Sequence, residues 1–400
     1  LDLQRDFNVP MAQINEQFLK AVTLDPDFVL AWTEVIWQRL RAYWFGFDAT
    51  EANLDLTRTA LDRVTKLAPD SPHVQRAQAA YLYFVKRDFH GALDIMKRVQ
   101  QGLPNDARTW FFTGLIERRA GLFDDAVAHL RKAQTLDPKD DFIAYELPNT
   151  ATAQRRFDEV IALVKDMPKS NLGAMEIQLF AEWNLGGLDA AEPVLAELPS
   201  SPLSEGMRAD QLLFRRDFRG ASALYAKAIG TVGESPSSDL YQSELFMAGY
   251  LPTELGWYLR QAQCERVLGN KDAAKKLLID VRNRAQAELA KKPVNLNIEA
   301  AWRATLALAL ANLGERDAAV SEATKATQLI PETLDRYEGP YWLDTLAAVY
   351  AVNGDAAHAV PLIRHLVDTT GSMTTRAMLA LDPVWDPIRN DPAFQALVKP

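Results

Sequence analysis

Ala107 to Pro138 reads ARTWFFTGLIERRAGLFDDAVAHLRKAQTLDP, and the placing of its small and bulky residues predicts two antiparallel helices joined by a tight turn. Gly114 and Ala126 are small where the two helices must approach closely. Gly121 is free to take the left-handed conformation that ends the first helix, and Asp137-Pro138 closes the second. Trp110, Phe123 and Leu130 fall at helical spacing and fill the groove between the pair.

The pattern recurs along the chain. Second-helix signatures appear at Phe18, Ala21 and Pro26, at Leu61, Val64 and Pro69, and at Ala92, Met96, Val99 and Pro104. They continue at Val160 and Val164, Ala191 and Leu195, Ala221 and Tyr225, Ala274 and Leu278, Ala319 and Ala323, and Ala359 and Ile363. The spacing is roughly 34 residues in the best-ordered part and drifts elsewhere. A repeat of this length means that each unit buries its apolar face only against its neighbours. The 107–138 unit resembles the tetratricopeptide repeat family, with Trp110, Gly114, Gly121, Ala126, Leu130, Ala133 and Pro138 on consensus positions. That resemblance implies an all-α, right-handed superhelical solenoid of about ten irregular helical hairpins.

An inserted stretch in such an array must leave the stack as a loop or a longer helix. Tyr43 to Asn53, with Trp44, Phe45 and Phe47, is one insertion; Gly230 to Leu255, rich in Ser, Gly and Pro, is the other. The expected organisation is an N-terminal array over 1–230, a Ser/Pro-rich insertion or hinge over 231–255, a second array over 256–378 and a capping segment over 379–400. In that last segment Leu381 to Phe394 carries three Asp-Pro steps, each suited to an N-cap followed by proline at the first helical position. Leu379 to Val398 looks like the tail of bacterial regulators in which a repeat array follows a class III adenylate cyclase, a protein kinase or a winged-helix domain. The chain starts at Leu1 without methionine, charged leader or cleavage site, so a segment of a longer protein is expected.

Composition limits what the array does. Of 400 residues, 48% are hydrophobic, enough to bury a large core. Lys and Arg number 44 against 53 Asp and Glu, and a net charge of −9 argues against a nucleic-acid surface. A single cysteine, Cys264, excludes an internal disulfide framework and leaves the redox compartment open. No run reaches the roughly 18 apolar residues that span a bilayer, so no membrane insertion by this segment is expected. Cytoplasm is the preferred location, with the periplasmic part of a membrane-anchored regulator as the alternative.

Motifs of catalysis are missing. The chain has no GxxxxGK[ST], no GxGxxG after a strand, no HExxH and no GxSxG, which leads to the expectation of no enzyme, no cofactor and no metal. His358 and His365 lie two helical turns apart, about 10 Å, too far for one metal without further ligands. Cys264 reads as a small packing residue, and Arg118-Arg119, Arg155-Arg156 and Arg215-Arg216 as solvated charges near turns. Trp32 reads as core; for Trp44, both core and a partner anchor stay open.

In the superhelix that the resemblance implies, the first helix of every unit lines a concave face. First-helix positions pointing away from the packed stripe are Arg108, Phe111, Tyr145, Glu176, Trp183, Gln263, Arg266, Tyr341 and Asp344, a mixture suited to an extended peptide or a helix. The expected function is a non-catalytic scaffold that binds a protein or peptide partner or self-associates, as the regulatory part of a larger bacterial signalling protein. The alternative is a module that senses a small molecule and controls an attached effector domain.

Overall fold

A computed structural model describes residues 11–232 and 253–399. Among them every regular element is helical. A lone helix, α1 (Met11–Leu24), is followed by helices that pair in chain order: α2 (Val29–Trp44) with α3 (Glu51–Leu67), α4 (Pro72–Tyr81) with α5 (Phe89–Gly102), and α6 (Ala107–Ala120) with α7 (Phe123–Leu136). Then come α8 (Asp141–Ala153) and α9 (Phe157–Val164), followed by α10 (Leu172–Leu185) with α11 (Gly187–Glu197) and α12 (Pro202–Phe214) with α13 (Phe218–Val232). After the gap in description, α14 (Thr253–Val267) pairs with α15 (Lys271–Ala290), α16 (Leu296–Leu313) with α17 (Arg316–Leu329), and α18 (Gly339–Val352) with α19 (Ala356–Asp368). Two short helices, α20 (Arg376–Leu381) and α21 (Pro392–Val398), flank a 3-10 turn over Pro383–Ile388. The chain is thus an all-α helical-repeat solenoid, with eight packed hairpins after α1 among the described residues. Most of the expected 231–255 hinge lies outside the described residues.

Burial explains why the hairpins stack. In α6 almost every residue from Thr109 to Arg119 is buried, whereas α7 buries a single stripe of Phe123, Ala126, Val127, Leu130 and Ala133. The first helix of a pair is enclosed by neighbours, and the second keeps one face in water. A Cβ added at Gly114 would sit 2.8 Å from Leu130 Cγ and 3.0 Å from the Ala126 carbonyl oxygen, so the contact admits nothing larger than glycine. Gly121 takes φ +85°, and its amide and that of Leu122 return to the carbonyls of Arg118 and Glu117 at 3.2 and 2.8 Å.

That left-handed turn is filled in two ways. Glycine occupies it at Gly121, Gly269, Gly314 and Gly354, but arginine does so at Arg87, Arg155 and Arg216, with φ of 52°, 59° and 65°. A left-handed arginine costs on the order of 1 kcal/mol. In each case the guanidinium reaches a segment far downstream: Arg87 pairs with Asp335 at 2.8 Å and Arg216 with Asp386 at 3.1 Å, while Arg155 donates to the carbonyls of Leu366 and Thr374, both at 3.0 Å.

The chain divides into two compact units, one of residues 1–150 with 293–295 and 334–337, the other of 151–292, 296–333 and 338–400. The first unit is centred on Ile36, Leu40, Val64, Met96, Phe112 and Ile116. Within it the Tyr43–Asn53 insertion stays in the stack: Trp44 is buried, stacks on Tyr83 at 5.3 Å between ring centroids, and lies between the guanidiniums of Arg87 and Arg119. Phe47 alone of that aromatic patch remains well exposed among the large apolar side chains. In the second unit Ala191, Leu195, Met207, Leu213, Ala221 and Tyr225 form one core, and the 3-10 turn and α21 add Trp385 and Phe394 to another built on Ala347, Ile363 and Leu366.

Arg156 and Arg215 are exposed, as the reading of solvated charge has it, but Arg118-Arg119 departs from that reading. Arg118 and Arg119 are buried at 3% and 5% exposure, because Glu146 and Asp335 neutralise them at 2.6 and 2.7 Å. Of the three Asp-Pro steps, Asp382 and Asp391 cap as expected, accepting from the amides of Val384 and Ala393 at 2.8 Å. Asp386 instead lies inside the 3-10 turn and binds Arg216 and Arg389.

Candidate functional site

The first helices carry the candidate site, and each unit presents a different chemistry. In the first unit Arg108 bridges from α6 to α2, its Nη1 donating to both carboxylate oxygens of Glu34 at 2.9 and 3.0 Å. Phe111 is half-buried against the core. One turn of the array further on, Arg41 stacks over Phe142 at 4.7 Å from the ring centroid. Tyr145, expected to face a partner, is fully buried in the core, out of a partner's reach in this conformation.

In the second unit Trp183 is also buried, its indole N–H donating to Gln211 Oε1 at 2.6 Å and its ring edge-on to Phe214. Gln263 is half-buried and Arg266 exposed along α14. Glu176, Tyr341 and Asp344, from α10 and α18, belong to one polar group together with Asp210, Tyr225, Arg260, Thr374 and Asp382. Arg260 forms a fork with Asp382, Nη1 to Oδ1 and Nη2 to Oδ2, both at 2.7 Å. The Tyr225 hydroxyl donates to Asp210 at 2.5 Å and the Thr374 hydroxyl to Asp344 at 2.6 Å.

Electrostatics follow from three carboxyl groups near one guanidinium and a fourth, Glu176, beside Asp210. Burial, and next the neighbouring Asp210, push the Glu176 carboxyl up to about 8. Burial likewise raises Asp210 and Asp344 to about 6, against the opposing pull of Arg260 and of the hydroxyls that hydrogen-bond them. Arg260 is held above its ordinary value by Asp382, which outweighs the desolvation that acts the other way. The same burial lifts the Cys264 thiol to about 12, consistent with a packing residue. At neutral pH Glu176 therefore keeps a proton that an exposed carboxyl would have lost, while Asp210 and Asp344 are mostly ionised, and these carboxylates suit a cationic or hydrogen-bond-donating ligand. Among the described residues no cluster of His, Cys, Asp or Glu is arranged to hold a metal ion. His358 binds Asp355 and His365 binds Glu332, each at 2.7 Å.

Asp210, Arg260 and Asp382 were missed by the sequence reading. Arg260 stands three residues before Gln263 on the same helical face, so the register that singled out Gln263 and Arg266 also points to it. Asp382 reads only as a cap, and nothing local announces its second partner.

Comparison with known proteins agrees with the fold. Residues 107–140 match the tetratricopeptide repeat family. No curated protein matches the chain. Similar solved structures include Naa15/Naa10 bound to HypK-THB, at 14% identity and TM-score 0.34 over 92% of this chain and 70% of that one. Yeast Tom70 is similar at 14% identity and TM-score 0.41 over 96% and 88%. The human IFIT1 dimer with PPP-AAAA is similar at 16% and 0.39 over 87% and 85%. At these scores no residue and no partner is carried over from them. Helical repeats of the tetratricopeptide type are generally protein-interaction scaffolds, and among the described residues no helix is long and apolar enough to cross a membrane.

Proposed function

We propose that this chain is a scaffold that binds a protein or peptide partner through its first helices, as the regulatory part of a larger bacterial signalling protein. The observation that carries the reading is the division of labour seen in α6 and α7: a first helix enclosed by its neighbours, a second solvated on one side. Such an arrangement leaves polar first-helix positions such as Arg108 and Glu176 as the chemically distinctive surface, while the second helices carry ordinary solvated charge. Resemblance of Leu379–Val398 to the tails of bacterial regulators supports the signalling context.

The test is affinity for a captured partner. Arg108→Glu reverses a charge and Glu176→Lys introduces one on first helices, whereas Lys97→Glu reverses a charge on the exposed face of α5. The expected result is a loss of at least about tenfold, or 1.4 kcal/mol, for one or both first-helix variants and no change for Lys97→Glu. Equal affinity for all three variants overturns the reading.

A second reading, ligand sensing, has its own support in the buried carboxyls gathered near Arg260. There the ligand is a small organic cation, and a thermal-shift series with diamines discriminates: stabilisation lost in Glu176→Gln favours sensing, and no shift discards it.

A further inference from the structure

The Arg260 guanidinium is a shared resource. It lies on α14 of the second unit and is bound by Asp382 at the junction of α20 and the 3-10 turn, with Asp210 on α12 and Asp344 on α18 near enough to feel its charge. Asp382 holds it by a two-pronged hydrogen bond, while Asp210 and Asp344 feel its charge and take hydroxyl partners instead. The same C-terminal segment is fastened elsewhere in this unit. Thr375 donates to Asn184, Arg389 donates to the carbonyl oxygens of Ala380 and Asp382 at 2.9 Å, and Asp386 meets Arg216.

We propose that Thr375–Ile388 is a pH-sensitive latch, closed when Arg260 pairs with Asp382 and loosened when Asp210 and Asp344 take the guanidinium in its place. The groups facing Arg260 are Asp382 from the C-terminal segment, Asp210 from α12, Tyr225 from α13, and Tyr341 and Asp344 from α18, with Cys264 on its own helix. Glu176 on α10 acts on Asp210 in turn, and Arg216 and Arg389 hold the neighbouring Asp386. Leu379, Trp385 and Ile388 are buried at 0%, 4% and 2% exposure, so the closed state dominates and loosening is a minor state. Protonated, Asp210 and Asp344 have no claim on the cation; ionised, they both repel Asp382 and attract Arg260. Burial places that ionisation near pH 6 rather than in the usual carboxylate range. Coupling of this kind shifts the balance without any new contact outside the group.

Amide hydrogen exchange of the full chain, corrected for the intrinsic pH dependence of exchange, reads the latch directly. Protection over Arg376–Ile388 is expected to fall at least about tenfold between pH 5 and pH 8, the change that one pKa unit of coupling corresponds to, and to fall more than protection over α10. In Asp210→Asn/Asp344→Asn the fall is expected to disappear, and in Asp382→Asn protection is expected to be low at both pH values. Unchanged protection in the wild type, an equal fall over α10, or the same fall in the double variant overturns the proposal. Should the double variant lose its helical circular dichroism, Asp344→Asn alone decides, since it leaves the Tyr225–Asp210 hydrogen bond in place: a smaller fall supports the latch and an undiminished one overturns it.

Discussion

At the scale of single residues, two kinds of position hold the chain together. Ala126 has no exposed surface and faces Gly114 across the α6–α7 contact. Ala126→Leu inserts three carbons where the backbones already touch, and is expected to cost about 1–3 kcal/mol. Ala128→Leu, on the exposed side of the same helix, is expected to change stability by less than about 0.5 kcal/mol; equal denaturant midpoints for the two would contradict the packing assigned here. The second kind is buried charge. Asp335 is fully enclosed and accepts from both Arg87 and Arg119 at 2.8 and 2.7 Å. Asp335→Leu leaves two guanidiniums buried without their carboxylate, and chemical denaturation is expected to show a loss of about 3–5 kcal/mol. Glycine and alanine contacts were legible in the sequence because close helix approach dictates small residues at fixed spacing. Partners such as Asp335 were not, since 248 residues separate it from Arg87, and no periodicity links the two positions.

Whole elements show the same contrast. First and second helices, their order and the left-handed turn at Gly121 follow from local pattern, and the structure has them where the pattern puts them. Arginine at the equivalent turn breaks the local rule, which is why Arg155-Arg156 and its counterparts read as plain surface charge. The strain at Arg155 is offset by the carbonyls it satisfies, Leu366 in the last turn of α19 and Thr374 beyond it, where a cation is also favoured by the helix dipole. Arg216 by contrast makes an ion pair that remains partly exposed. Replacement by glycine relieves the turn at both sites, so the difference between them measures the contacts alone. Arg155→Gly is expected to lower the thermal midpoint clearly, and Arg216→Gly to leave stability within about 0.5 kcal/mol of wild type. The C-terminal Asp-Pro steps were read correctly as helix starts at Asp382 and Asp391, but the second role of Asp382 on Arg260 depends on a helix 122 residues away.

For the molecule as a whole, the raised carboxyls of the second unit fix a direction for pH dependence. Glu176, Asp210 and Asp344 have folded-state values near 8, 6 and 6, above those of an unfolded chain. Below about pH 4, near the unfolded values, they are protonated in both states and cost the fold nothing. As pH rises above about 4 the unfolded chain gives up protons that the folded chain retains, and stability falls until each folded value is passed, near 6 for Asp210 and Asp344 and near 8 for Glu176. The thermal midpoint of the second unit is therefore expected to drop between pH 5 and pH 9, and Glu176→Gln to remove the upper part of that drop. A midpoint that climbs over this range would contradict the burial of these groups. The central claim concerns where the chain meets its partner, and the most direct measurement is a hydrogen-exchange footprint of the complex. Protection is predicted to gather on first helices, α6 with Arg108 or α10 and α18 with Glu176 and Asp344, and to spare the exposed faces of α5 and α7. A footprint confined to the second helices would contradict it.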